Sequence, residues 1–398
     1  MVKNKDKREN LTFLYCTVMD YPSTLANSVQ QIKTAHALTR TGSFVKFFIK
    51  NSKGGPLDSQ AILAYYGLEE HPNFTLRGIN TISGAYRYGI YLLKLFFICM
   101  KEILCKKADV IWSREPRIIL MLYLLARWTG TKVVFEAHDL ADKGLSYRGV
   151  NQKTHFFHRC AMRIADIIVT VTNKCKQEMA MLGVNPNKIL VAPDAADLVN
   201  YSKLERRLAD NGPVKLAYVG SLGADRGCDV LVRALAYIPS SMNVLAVIVG
   251  GNEEQIAILK SLAEDIGVID RLQFTGYIPH RDVRIWIEFS NILIMPTVRS
   301  LFGEKYTSPM KLFEYMASGR PIVASDLPTI REVLDDNSAT FFVANDPQDL
   351  ARAITDTIEN WPGALEKAQR AYSVFVEGFT FESRARRILS FIKEVRSQ

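Results

Sequence analysis

The sequence predicts an α/β protein built from two open, doubly wound parallel sheets. Three observations carry this. Short runs rich in β-branched residues are apolar almost throughout, as strands covered by helices on both faces must be. These runs alternate with longer stretches of helical periodicity. The rhythm then restarts after a polar segment, Asp194–Pro213, which contains LERRLADNGP and has the composition of an interdomain linker. A length of 398 residues also suits two or three domains.

In the first half, strands are expected at Thr12–Cys16, Val45–Ile49, Asp109–Ser113, Lys132–Glu136 and Ile167–Thr172. Helices are expected near Val29–Arg40, Tyr88–Cys105, Arg117–Trp128 and Phe156–Ala165. The second half reads as strands at Lys215–Val219, Val244–Val249, Leu272–Thr275, Ile292–Met295, Ile322–Ala324 and Thr340–Val343. A basic, amphipathic helix at Phe381–Val395 is expected to pack back on the first domain. The expected domains are therefore 1–200 with 380–398, and 201–379. In open parallel sheets ligands bind at the carboxyl ends of the strands.

Composition narrows the classes. Hydrophobic residues make up 48% and charged residues 23%, and the mean hydropathy is +0.01. These values exclude a disordered chain, a collagen-like fibre and a multi-span membrane protein. Lys and Arg outnumber Asp and Glu by 50 to 41, which favours anionic partners. The six cysteines (16, 99, 105, 160, 175 and 228) show no C-x-x-C spacing, so they read as reduced thiols with no zinc site or disulfide frame. The N-terminus MVKNKDKREN lacks the apolar run of a signal peptide, so a cytoplasmic location is expected. No basic motif interleaved with aromatics marks a nucleic-acid binder.

No run reaches 18 apolar residues, so no transmembrane helix is expected. The stretch from Tyr88, YGIYLLKLFFICMKEILCKK, is amphipathic, with Arg87, Lys94 and Lys101 spaced seven apart. Across 84–132 there are nine Lys/Arg against three Asp/Glu. Such a helix can lie on an anionic bilayer. It can equally be a core helix with lysines turned to water.

Chemistry concentrates in the second half. In LAYVGSLGADRGCDVLVRAL, a strand ends at Val219 and Gly220, Gly223 and Gly227 let backbone approach a ligand. Arg226 sits in that turn, where a cation can pair with phosphate oxygens. The plainer alternative is an ordinary strand–helix turn. VIVGGNEE adds Gly250 and Gly251, which require nothing beyond a tight turn. In FTGYIPHRDV, the loop after the strand can present backbone groups to a base, and His280 reads as a surface residue with nothing nearby to fix its tautomer. The most informative segment is YTSPMKLFEYMASGRPIVAS, from Tyr306. Thr307 or Ser308 reads as a hydroxyl N-cap, with Pro309 at the first helical position and Gly319 as C-cap. The helix N-terminus is an anion site in waiting. Lys311 in its first turn opposes the helix dipole, so an anionic ligand or partner is plausible there. Glu314, among apolar neighbours, suits sugar hydroxyls; the plainer alternative is a structural ion pair with Lys311 or a backbone cap.

Taken in order, G-S-L-x-x-x-R-G, V-G-G, F-T-G-Y-I-P and P-M-K-L-F-E-Y-M-A-S-G-R-P-I-V-A-S resemble the retaining family-4 glycosyltransferases of GT-B fold, also called glycosyl transferases group 1. VVFEAHDL (Val133–Leu140) and ILVAPDAAD (Ile189–Asp197) extend the resemblance into the first half. The resemblance implies two Rossmann-like domains facing across a cleft, the first for acceptor and the second for a nucleotide-diphosphate sugar. It implies that Arg226 binds the diphosphate, that Gly220 and Ser221 belong to the donor site, and that Tyr277 and Ile278 hold the base largely through backbone. It places Ser308, Pro309 and Met310 beside the transferred sugar, Glu314 on the ribose and His138 on the reacting sugar. The alternative for His138 is a tie to Glu136 or Asp139. Two departures stand out: Tyr306 replaces the first Glu of the family's Glu–seven residues–Glu motif, with Glu304 as a substitute nearby, and Ser221 stands where many members carry Arg. The diphosphate is then left to Arg226 and Lys311. The segment Thr17–Ser28 matches the family's glycine-rich loop poorly.

The implied activity is transfer of a sugar to a hydroxyl of a glycan or lipid-linked acceptor, in cell-surface polysaccharide or glycolipid synthesis. No D-x-D motif ends an expected strand, so no metal and no resident cofactor are expected. The substitution at Tyr306 motivates an alternative, a non-catalytic nucleotide-binding partner of another glycosyltransferase.

Overall fold

A computed structural model describes residues 10–52, 54–81, 86–138, 152–202, 208 and 212–397. Asp139, part of the expected linker and residues 84 and 85 of the basic stretch lie outside these. The chain divides into two compact units. One runs to Pro193 and resumes at Phe381; the other is Asp194–Thr380.

The first unit alternates strand and helix. Its elements are β1 (Thr12–Asp20), α1 (Ala26–Thr39), β2 (Phe44–Asn51), α2 (Ser59–Tyr65), β3 (Phe74–Asn80), α3 (Arg87–Leu104) and β4 (Val110–Ser113). These are followed by α4 (Pro116–Thr129), β5 (Lys132–Glu136), α5 (Gln152–Ile164), β6 (Ile167–Thr170), α6 (Asn173–Met181) and β7 (Ile189–Val191). The seven strands pair in the order β3-β2-β1-β4-β5-β6-β7, and every pairing is parallel. Strand β1 runs on to Asp20, so the connection to α1 is only Tyr21–Leu25. Strands β3 and β7, with helices α2 and α6, lie outside the expected set.

The second unit repeats the plan. It carries β8 (Val214–Val219), α7 (Cys228–Ala234), β9 (Val244–Val249), α8 (Glu253–Asp265), β10 (Leu272–Gly276), α9 (Val283–Phe289) and β11 (Ile292–Met295). Then come α10 (Leu301–Lys305), α11 (Met310–Ser318), β12 (Ile322–Ser325), α12 (Pro328–Arg331), β13 (Thr340–Phe342), α13 (Pro347–Glu359) and α14 (Trp361–Gly378). The order is β10-β9-β8-β11-β12-β13, again all parallel. Apolar strands are required here because both faces are covered. Leu216 and Tyr218 of β8 join one core cluster, while Ala217 and Val219 join the other. Chain order reverses between β8 and β11, the position at which open sheets of this kind form a ligand crevice.

Helix α15 (Phe381–Ser397) belongs to the first unit. Its Arg384 is fully buried, and the guanidinium donates to the Pro193 carbonyl, Thr34 Oγ1 and Glu136 Oε1, each at 2.9 Å. All six cysteines are free thiols. Among the described residues no helix is long and apolar enough to cross a membrane.

Candidate functional site

The loops after β8 and β11 are locked together where the sheet order reverses. Gly227 ends the turn Ala224–Arg226 at φ +71°, and a Cβ there would lie 1.8 Å from the Pro296 carbonyl oxygen. The Val298 N–H donates to the Asp225 carbonyl at 3.2 Å. Only glycine fits such an approach. The neighbouring loop is equally tight: a Cβ on Gly250 would meet the Gly220 carbonyl oxygen at 2.1 Å, and the Gly250 N–H donates to the Gly276 carbonyl at 2.9 Å. Gly250 thus does more than make a turn. It closes three strand ends into one floor.

Helix α11 stands beside this floor. The Tyr315 hydroxyl accepts the Val219 N–H at 2.8 Å, tying α11 to the end of β8. Lys311, one turn earlier, sends its Nζ to the Tyr218 hydroxyl at 2.5 Å and lies 2.8 Å from where a Cβ on Gly220 would stand. Tyr218 in turn donates to the Ser221 carbonyl at 2.6 Å. Burial pushes the Lys311 ammonium down to about 7, and the Arg226 guanidinium adds to the fall, while Cys228, Glu314 and Asp225 oppose it. A lysine held against a second cation is a site short of negative charge. The Arg226 guanidinium has Asp225 at 3.6 Å.

Several of the sequence-predicted residues of this unit fall into one neighbourhood by these contacts. Gly220, Ser221 and Lys311 share it through Tyr218 and direct approach, and Arg226 is close enough to lower the Lys311 pKa. Glu314 follows Lys311 by three residues, on the same face of α11. Its carboxylate receives His280 Nε2 at 2.8 Å. This corrects the reading of His280 as a residue without an orienting partner: the partner lies 34 residues away in sequence. Tyr277, with a 60% exposed side chain, and the half-buried Ile278 form the segment leading to His280. Met310 is buried. The helix start is also corrected. Helix α11 begins at Met310, Pro309 occupies the cap position, and no side chain caps the first turn. The hydroxyl of Ser308 instead accepts the Asp194 N–H at 2.9 Å. Proline fixes φ near the required value but has no side-chain acceptor, so a hydroxyl followed by proline mislabels the cap.

Tyr306 is buried, so its ring belongs to the packing of the unit. Glu304 lies in α10 and faces Arg299 Nε at 3.7 Å. In the first unit, His138 follows β5, and its Nε2 lies 2.8 Å from Glu136 Oε1. Glu136 is buried and also accepts from Trp112 Nε1 at 2.9 Å and the Tyr15 hydroxyl at 3.1 Å. Burial alone would raise the Glu136 carboxyl, but Arg384, His138 and Arg114 outweigh it and hold it well below the ordinary carboxylate range. Among the described residues no group of three or more His, Cys, Asp or Glu side chains gathers as a metal site would require.

Comparison with known proteins follows this geometry. Residues 32–199 match the family described as Glycosyltransferase Family 4, and residues 213–360 match the one described as Glycosyl transferases group 1. The chain is 27% identical over 177 residues (42% of this chain) to 2-deoxystreptamine glucosyltransferase of Streptomyces kanamyceticus. It is 24% identical over 241 residues (60% of this chain) to a subunit of the phosphatidylinositol N-acetylglucosaminyltransferase of Arabidopsis thaliana. These matches span 44% and 51% of those relatives' own lengths, about half. HepE of Anabaena, solved with UDP and glucose, superposes with a TM-score of 0.72 at 14% identity, covering 97% of this chain and 100% of that one. Sucrose-phosphate synthase of Thermosynechococcus elongatus gives 0.75 at 16% identity, with 98% and 100% covered. The fold is GT-B, and the chain belongs to glycosyltransferase family 4.

Proposed function

We propose that this chain moves a sugar, with retention of anomeric configuration and without a divalent ion, from a nucleoside-diphosphate sugar to a hydroxyl of a glycan or lipid-linked acceptor. The observation that carries the reading is the Lys311 ammonium, held on the Tyr218 hydroxyl over Gly220 at the floor closed by Gly250, with the Arg226 guanidinium near enough to lower its pKa further. Arg226 and Lys311 take the diphosphate, and the start of α11 at Met310, beside Ser308 and Pro309, adds backbone N–H groups and a favourable dipole. Glu314 takes the ribose diol, and Tyr277 and Ile278 take the base. In the reaction the sugar C1–O bond to the diphosphate breaks as the acceptor oxygen bonds to C1. The acceptor proton passes to the departing phosphate oxygen, whose growing charge the two cations stabilise. In this reading His138 addresses the transferred sugar, its ring oriented by Glu136. HepE is described in complex with UDP-glucose, which supports a nucleotide-sugar donor here. A colanic acid biosynthesis glycosyltransferase of Salmonella typhimurium and the phosphatidylinositol N-acetylglucosaminyltransferases support a polysaccharide or glycolipid product.

Thermal unfolding with UDP, GDP and ADP tests the donor. One of them at a hundred times its Kd should stabilise the protein by about 2.7 kcal/mol. No protection by any of the three, with no turnover of any nucleotide sugar, would overturn the proposal. The pH dependence has a defined sign. Lys311 titrates near 7 in the unbound protein, and a bound diphosphate favours its charged form. The complex therefore takes up a proton, and affinity is full below pH 7 and falls as pH rises above it. Lys311→Met should flatten the profile between about pH 7 and 9. An unchanged slope removes Lys311 from the phosphate site.

The acceptor reading extends to an anionic membrane surface. In α3, Tyr91, Leu95, Cys99 and Ile103 face the core, while Leu93, Phe97 and Leu104 are exposed beside Arg87, Lys94 and Lys101. The packed neighbour α4 exposes Leu124 and Trp128, each 78%. This combination of apolar and basic groups suits an interfacial position more than a helix with lysines alone turned outward. Each basic residue near an anionic leaflet contributes about 1 kcal/mol. Lys94→Glu with Lys101→Glu should weaken binding to phosphatidylglycerol vesicles at least about tenfold. Unchanged binding ends the membrane reading.

A further inference from the structure

We infer that His280 is a positioning residue for recognition of the donor ribose, acting through Glu314. The inference rests on the reading of Glu314 as the ribose ligand. His280 starts the turn His280–Asp282, directly after the segment Gly276–Pro279. Its Nε2 reaches Glu314 Oε1 at 2.8 Å from a separate loop. An ionised carboxylate only accepts, so the ring carries its proton on Nε2 at this contact.

Glu314 has three side-chain torsions, and the hydrogen bond from His280 to one oxygen narrows the orientations open to the carboxylate. The Glu314 side chain is 16% exposed, while that of His280 is 38% exposed. The imidazole therefore spans from the shielded carboxylate toward solvent, and its removal opens no core cavity. A carboxylate reads a vicinal diol by accepting two hydrogen bonds in one plane. Holding that plane before the nucleotide arrives removes an ordering cost from the binding step. It also makes the geometry selective, because a fixed acceptor rewards a hydroxyl in one place only.

The segment that carries His280 also carries the proposed base contacts Tyr277 and Ile278. The contact thus couples the base-side loop to the ribose-side helix within one unit. The pairing is charge-assisted, which makes it stronger than a bond between neutral groups.

The test is calorimetric titration with UDP, GDP and ADP, then with the 2′-deoxy form of whichever binds tightest. Wild type should prefer the ribonucleotide, and Glu314→Gln should reduce that preference. His280→Ala should weaken ribonucleotide binding about 3- to 10-fold while leaving the deoxynucleotide nearly unchanged. His280→Gln, whose amide nitrogen stands close to the Nε2 position, should restore most of the preference. Equal losses for both nucleotides would mark His280 as merely structural and overturn the inference. So would a wild-type preference retained in His280→Ala but lost in Glu314→Gln, and in that case the ribose reading of Glu314 survives. A wild type without preference would overturn the ribose reading, and the inference with it.

Discussion

Replacing Arg384 by methionine is expected to destabilise the first unit by about 3–5 kcal/mol, the usual consequence of removing one member of a buried ion pair. For a unit of this size that lowers the unfolding temperature by roughly 10 °C. Both side chains are 1% exposed. Without the guanidinium, the Glu136 carboxylate keeps Tyr15, Trp112 and His138 as its donors among the described residues. The double variant Glu136→Met with Arg384→Met should recover part of the loss, because it removes the uncompensated charge as well as its partner. The sign of the pH dependence follows. The folded protein holds Glu136 well below its unfolded value, so the pair's contribution is complete above the unfolded carboxylate pKa, about 4.3. It is lost as pH falls through the folded value. Arg384→Met should therefore show a shallower acid transition as well as a lower melting temperature. A variant that melts with wild type would mean the network bears no load.

Arg226→Ala carries the largest expected effect on the reaction. Removing a fixed donor aimed at developing negative charge costs about 10²- to 10³-fold in turnover. Its side chain is partly exposed in a surface turn, so stability should change little. Arg226→Lys should retain part of the rate, because a point cation can still meet a phosphate without the guanidinium's fork. Single-turnover release of the nucleoside diphosphate separates this loss from weaker donor binding. A variant with wild-type turnover would remove Arg226 from the chemistry and leave Lys311 to carry the charge.

Much of this is legible in the sequence, for identifiable reasons. Strands β9 and β11 stand where their apolar runs place them, because burial on both faces leaves no polar residue to blur the ends. The end of helix α11 at Ser318, capped by Gly319, is read correctly, since glycine in the left-handed region stops a helix unambiguously. Strand β3 gives a weak signal because FTLRGIN alternates exposed and shielded positions and carries Arg and Gly. Strand β7 is three residues long, below what periodicity can detect. The two side-chain contacts that orient the candidate residues are invisible for a different reason. His280 to Glu314 spans 34 residues and Arg384 to Glu136 spans 248, and no local pattern marks either end. Gly250 reads as a commonplace turn because its requirement, the Gly220 carbonyl, comes from another strand.

The return of α15 to the first unit has a consequence for biosynthesis. A ribosome releases Glu136 long before Arg384, and the whole of Asp194–Thr380 emerges between them. Until α15 leaves the exit tunnel, the nascent first unit lacks the Arg384 guanidinium that bonds that carboxylate. The inserted unit can therefore mature first, and the half made earlier is the one completed later.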